Sequence, residues 1–311
     1  MRTLTSMIKT SEPNSIDPWL DNFYLPAPFS HKGDNGKVLV IGGSRLFHSA
    51  SLWAAEIASH LVDIVHYSST EENNQIFLSL KKFFRNGIVI KKEDLLNYVE
   101  EDDAILIGPG ILRKKIKSDE LRVKSYTGIL DIDDEVEYTF CLIKYLIDSY
   151  PDKKFVFDAG ALQIMDKQWL LKLNQPAVIT PHQQEFNKLF GIHLKGKSIN
   201  EKKSIVKKTA QEYHCVILLK AVVDIVSDGK KVYVIEGGNA GLTKGGTGDV
   251  LAGLVLALLA KRDQLFSAVT ASYLLKKSGD ELFNTKGYWY NIDDIMGKIP
   301  ELMKKIIIDK N

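Results

Sequence analysis

The sequence predicts an α/β fold: a central, mostly parallel sheet flanked by helices. Three observations carry this. Short apolar runs end in Gly, Asp, Thr-Pro or Lys; helix-like stretches separate them; and the runs are continuously apolar, as in strands covered on both faces. With 311 residues, 45% of them hydrophobic, the chain can bury a large core in one α/β domain or two. Its 41 basic and 39 acidic residues give a net charge of +2, which argues against nucleic acid or an anionic membrane as partner. No apolar run approaches the roughly 20 residues of a membrane span. Residues 1–28 are mixed and polar, unlike a secretory leader. Cys141 and Cys215 lie outside any C-x-x-C pair, so neither a disulfide framework nor a metal site is expected. A cytoplasmic globular enzyme is the class left standing.

In chain order, residues 38–41 (VLVI) read as a buried strand ending at Gly42-Gly43-Ser44, and 50–61 follow with helical spacing. Residues 104–107 run into Gly108-Pro109-Gly110, 155–157 into Asp158, 177–179 into Thr180-Pro181-His182, and 216–219 into Lys220. Residues 224–227 and 231–235 flank Asp228-Gly229, a hairpin signal that predicts an antiparallel extension of the sheet. Residues 250–260 are apolar all round and predict a helix buried within the domain. The charged stretch 114–134 reads as an exposed helix and loop, either a solvated insertion or a lid. Ligands of parallel sheets bind beyond the carboxyl ends of the strands, so the strand-end residues are where chemistry is expected.

The sharpest feature is residues 238–249 (GNAGLTKGGTGD), which open onto the buried helix. Glycines let a backbone approach a ligand closely. The N–H groups of Gly246, Thr247 and Gly248 at a helix start, with the dipole behind them, favour phosphate or developing negative charge. Asp249 reads either as an N-cap or as the base that takes a proton from a hydroxyl attacking phosphorus. No Walker A loop occurs, and Gly42-Gly43-Ser44 is not a dinucleotide fingerprint. Phosphoryl transfer is therefore the indicated chemistry. His182 reads as a helix-start residue or a substrate contact, Lys220 as a surface lysine or a phosphate contact, and Asp158 as a turn residue or part of the site.

Residues 238–253 (GNAGLTKGGTGDVLAG) resemble the signature of the NAD(P)H-hydrate dehydratases, a branch of the ribokinase-like superfamily. Other segments agree in order: 31–44 (HKGDNGKVLVIGGS), Gly108-Pro109-Gly110, 158–162 (DAGAL), Thr180-Pro181-His182, Leu219-Lys220, and 291–295 (NIDDI) with Ile299-Pro300. The resemblance covers residues 30 to 306 and implies a ribokinase-like three-layer domain over 31–311, with 1–30 as an N-terminal extension. It further implies dehydration of the S epimer of NADHX or NADPHX, with ADP or ATP as phosphoryl donor and Mg²⁺ accompanying the nucleotide. Ala50, Gly110, His182 and Asp249 would then meet the hydrated nicotinamide, and Lys220, Ala221, Val222, Val223, Asp224 and Gly248 the nucleotide. A separate epimerase and a homo-oligomer, tetrameric in relatives, are the implied partners.

The sequence departs from the family pattern at several points. Lys220-Ala221 stands where Lys-Gly is usual, Asp224 where Thr is usual, and Ser49-Ala50 where Gly-Ala is usual, after the bulky Phe47-His48. Residues 63–89 lack the Arg-Ser-Gly-Ala-Gly pattern common there. A carboxylate at position 224 facing the nucleotide would repel phosphate. The residues alone also accommodate a vitamin-precursor or sugar kinase of the same superfamily, and a nucleotide-binding paralogue without catalysis.

Overall fold

The computed structural model describes residues 5–112 and 125–309. The strands are β1 (Thr5–Lys9), β2 (Lys37–Ile41), β3 (Ile64–Ser68), β4 (Gly87–Val89), β5 (Ala104–Ile107), β6 (Lys154–Phe157), β7 (Ala177–Ile179), β8 (Cys215–Leu219), β9 (Asp224–Ser227) and β10 (Val232–Glu236). They form one sheet in the order β1-β10-β9-β8-β7-β6-β5-β2-β3-β4. Among the described residues, β9 runs antiparallel to both its neighbours and the other pairings are parallel. The predicted hairpin is thus β9–β10, with Val232 opposite Ser227.

Alternate strand residues feed two cores, one on each face. Val38, Val40, Ala104 and Leu106 enter one; Leu39, Ile41, Ile105 and Ile107 enter the other. This double burial is why the strands read as continuous apolar runs. The predicted buried helix spans Thr247–Lys261 and packs against the helix Ser49–Ala58 on one face. A Cβ on Gly253 would lie 2.4 Å from the Ala54 carbonyl oxygen, so the two helices meet at backbone distance. Gly253→Ala is accordingly expected to destabilise the fold by about 1–3 kcal/mol, read as a lowered thermal midpoint.

Three strands escaped the sequence reading. In β3 the apolar run is broken by His66, which is buried with its Nδ1 2.9 Å from Asp102 Oδ1. The other two are β4, only three residues long, and β1, which comes from the stretch set apart as an extension. Here β1 pairs in parallel with β10 at the sheet edge, and the buried Ile16 and Leu20 carry the stretch on into the core. Of the charged stretch 114–134, residues 114–124 lie outside the described residues. The remainder holds a short helix, Tyr126–Leu130, that buries Tyr126 and Ile129 and leaves Thr127 exposed, and a loop in which Asp131 and Asp133 are exposed. Among the described residues no helix is long and apolar enough to cross a membrane.

From β2 the chain builds outward through β3 and β4, then crosses to β5 on the other side and continues to β8. That reversal opens a crevice at the carboxyl ends of β2 and β5. It is spanned by the Gly43 N–H, which donates to the Pro109 carbonyl at 2.7 Å.

Candidate active site

Two cavities open along the carboxyl ends of the strands. One, of about 640 Å³, is bordered by Ala50, Gly110, Asp158, His182 and Asp249, with Phe47 and Trp53 on its wall. The other, of about 680 Å³, is bordered by Lys220, Ala221, Val222, Asp224, Gly248 and Lys276. His182, Lys220, Lys244 and Gly248 border both. The residues expected around the nicotinamide therefore meet in the first cavity, and those expected around the nucleotide in the second. Val223 is the exception and borders neither.

The junction is built on the start of the buried helix. Gly246 precedes it with φ of 101°, a conformation that favours glycine, and a Cβ there would lie 2.7 Å from the Trp53 ring. Gly246, not Asp249, is thus the N-cap residue. Asp249 sits in the first turn, and of the two cavities it borders only the first. The Thr247 N–H donates to the Lys244 carbonyl at 3.3 Å. Thr247 Oγ1 is buried with no hydrogen-bond partner in the protein, an orphan that suits an incoming oxyanion.

Lys220 is not a surface lysine. It ends β8 with its Nζ 2.7 Å from Asp158 Oδ1, which also accepts from Thr180 Oγ1 at 2.7 Å, and Glu185 Oε2 stands 4.0 Å from the same ammonium. Burial alone would lower its proton affinity, but the charges of Asp158 and Glu185 prevail and hold Lys220 above its ordinary value. The cation is aimed at the helix start: a Cβ on Gly248 would lie 3.4 Å from Lys220 Nζ. Asp158, Thr180 and Lys220 end three neighbouring strands, which is how residues far apart in sequence come to share one network. Asp158 is therefore more than a turn residue. It occupies the N-cap position of the helix Ala159–Ile164, yet its carboxylate serves Lys220 and Thr180 and caps nothing.

His182 starts a helix, as one sequence reading has it, and its side chain borders both cavities. Its Nδ1 accepts from the N–H groups of Gln184 (3.1 Å) and Glu185 (3.2 Å), and its own N–H donates to Glu185 Oε2 (2.9 Å), closing a capping box on the helix Gln183–Phe190. With Nδ1 accepting, the ring hydrogen sits on Nε2, 3.3 Å from Glu185 Oε1. His182 thus turns Nε2 toward Glu185 where it borders the cavities.

Asp224 lies buried on the floor of the second cavity. Its Oδ1 accepts from the Ala221 N–H at 2.8 Å and its Oδ2 from Ser272 Oγ at 2.7 Å, while Lys276 Nζ stands 3.5 Å from Oδ1. Burial pushes the carboxyl up from its ordinary range; Lys276 and the hydrogen bonds from Ala221 and Ser272 oppose that shift and favour the carboxylate. The charge expected to repel phosphate is matched inside the protein. Lys276 is a residue that the sequence reading missed.

The arrangement sets a carboxylate in one cavity against a lysine and a helix N-terminus at the border with the next. It suits transfer of a phosphoryl group across that border.

Comparison with known proteins agrees. The profile of the NAD(P)H-hydrate dehydratase family matches residues 38–301. The ADP-dependent (S)-NAD(P)H-hydrate dehydratase of Nitrosopumilus maritimus is 33% identical over 276 residues, covering 88% of this chain and 91% of that protein. The bifunctional NAD(P)H-hydrate repair enzyme Nnr of Methanocaldococcus jannaschii is 32% identical over 283 residues, and there the match covers 88% of this chain but 49% of the relative. This chain thus spans about half the length of the bifunctional relatives it matches. In fold it resembles a ribokinase-like superfamily protein from Enterococcus faecalis, with a TM-score of 0.72 at 21% identity over 97% of this chain and 96% of that one. It also resembles the ADP/ATP-dependent NAD(P)H-hydrate dehydratase from Bacillus subtilis co-crystallised with ATP/Mg²⁺, with a TM-score of 0.74 at 21% identity over 93% and 96% of the two chains. The sheet, the Gly-rich helix start and these matches lead to one conclusion: the chain belongs to the NAD(P)H-hydrate dehydratase family.

Proposed function

We propose that this protein removes water from the S epimer of NADHX or NADPHX, using ADP or ATP as phosphoryl donor. The observation that carries the reading is the shared border of the two cavities, where Lys220 and Gly248 stand beside Asp249. The nucleotide occupies the second cavity with its terminal phosphate at the helix start, and the hydrated nicotinamide occupies the first with its ring hydroxyl toward Asp249. Asp249 accepts the hydroxyl proton as that oxygen bonds to the terminal phosphorus and the bond from phosphorus to the nucleotide breaks. The helix start, the Thr247 hydroxyl and Lys220 stabilise the charge on the phosphoryl oxygens. Phosphate then leaves with the electron pair of the ring C–O bond, a proton leaves the neighbouring ring carbon, and the double bond of NAD(P)H is restored. Phosphate departs readily where hydroxide does not.

Mg²⁺ enters with the nucleotide. Among the described residues no cluster of three or more His, Cys, Asp or Glu offers it a cage, so its oxygens would come from phosphate and water. A separate epimerase that supplies the S hydrate is the proposed functional partner. A cytoplasmic setting and assembly into a tetramer complete the proposal. The test is incubation of the protein with enzymatically prepared NADHX, Mg²⁺ and either ADP or ATP, following the NADH absorbance band. Recovery is expected with at least one nucleotide; none with either overturns the reading.

A further inference from the structure

Asp224 departs from the residue usual in the family, and its partner Lys276 is one of a Lys276-Lys277 pair on a long helix, Gln264–Lys286. Lys276 is nevertheless only 5% exposed. Its Nζ faces the carbonyl oxygens of Val222 (2.9 Å), Ala221 (3.3 Å) and Gly237 (3.5 Å), together with Asp224 Oδ1 at 3.5 Å. That is four acceptors for three hydrogens, all of them within the protein, so the ammonium has nothing left to offer a ligand.

The carbonyls it holds belong to two segments that border the second cavity, the turn after β8 and the stretch after β10. Ala221 and Val222 form the turn after β8. Both are exposed, Val222 to 90%, so their side chains do not anchor the turn by packing. What holds the turn is backbone: the Ala221 N–H to Asp224, and the two carbonyls to Lys276. The facing segment begins at Gly237 and Gly238, both at positive φ and both without side chains to pack. One ammonium therefore bridges the turn and the facing segment just beyond the last β9–β10 pair, Asp224 with Ile235, adding to what the sheet and the Gly238 N–H to Asp280 Oδ2 bond (3.1 Å) already hold.

We infer that the buried Lys276–Asp224 pair is a positioning brace that sets the width of the second cavity, and with it the affinity for a nucleoside di- or triphosphate. The brace touches neither the phosphoryl group nor Asp249. The inference rests on the reading of the second cavity as the nucleotide site.

The test uses the double variant D224T/K276M, which removes both charges together and so leaves no buried ion alone. ADP–Mg²⁺ binding, measured by calorimetry with no hydrate present, is expected to weaken by about tenfold. The kcat at saturating nucleotide should stay within about twofold, with KM for NADHX unchanged, so the loss falls on nucleotide binding alone. A folded double variant with wild-type ADP affinity, or one that loses kcat as much as affinity, overturns the brace. Should the double variant fail to fold, S272A deletes one hydroxyl from Asp224 and keeps both charges. About threefold weaker binding is then expected, and unchanged binding overturns the inference. Wild-type protein that binds nucleotide but regenerates no NADH would overturn the dehydratase reading and leave the brace standing. Wild-type protein that binds no nucleotide overturns both.

Discussion

Asp249→Asn is expected to lower kcat for NADHX dehydration by about 10²–10⁴-fold while ADP–Mg²⁺ affinity stays within about threefold. The amide has the size and shape of the carboxylate but cannot take the hydroxyl proton, so the loss falls on the chemical step. Asp249 borders the first cavity and not the second, which separates its effect from nucleotide binding. Two smaller effects fall on stability and on the nucleotide. Removing a negative charge from the first helical turn gives up about 0.3–1 kcal/mol of dipole stabilisation. The same change removes a like charge from the neighbourhood of the phosphates. Single-turnover rates and calorimetry on one preparation check both halves. A variant that turns over at the wild-type rate would take the base role away from Asp249.

Asp158→Ala should produce the largest loss of stability among single changes at the site, on the order of 3 kcal/mol. It strips Lys220 of its 2.7 Å partner and Thr180 of its acceptor in one step. Glu185, 4.0 Å from the ammonium, remains as a partial countercharge, which places the effect toward the lower end for a broken buried pair. The pH dependence has a definite sign. Asp158 helps to raise Lys220 above its ordinary value of 10.5, so this stabilisation is fully present below that value and is lost only as pH rises through the raised one. The difference in unfolding free energy between wild type and variant should therefore be flat from about pH 6 to 9 and shrink only as pH rises past the ordinary lysine value of 10.5. Denaturant unfolding at several pH values measures it, and a difference that vanishes at neutral pH would show that the pair adds nothing.

Much of this architecture was legible in the sequence because each central strand announces itself twice, by an apolar run and by the residue that ends it. Residues 38–41, 104–107, 155–157, 177–179 and 216–219 all lie in strands, and the Asp228-Gly229 hairpin and the buried helix fall where expected. What escaped was set by partners distant in the chain. His66 interrupts β3, and only Asp102 on another segment makes its burial tolerable. The edge strand β1 finds its mate more than two hundred residues later, in β10.

The site divides in the same way. Its Gly-rich helix start is local and could be read directly. Asp158, Thr180 and Lys220 end separate strands, and their spacing along the chain says nothing of a shared oxygen atom. Lys276 was hidden by composition: two adjacent lysines on a helix look like a solvated face, and only the fold turns one of them inward. The capping role of Asp249 was a fair local reading, but the positive φ of Gly246 starts the helix three residues earlier.

The partition made by His182, Lys220, Lys244 and Gly248 also bears on timing. The two cavities share these four border residues, and each has a lining of its own besides. Under the proposed reaction, a nucleotide can occupy the second cavity before the hydrate arrives in the first. A nucleotide waiting alone faces only water across the partition, beside the same Asp249 that would greet a hydroxyl. Idle hydrolysis of the nucleotide is the hazard built into such a plan, and filling the first cavity with the nicotinamide ring, which displaces that water, is what brings the waste to an end.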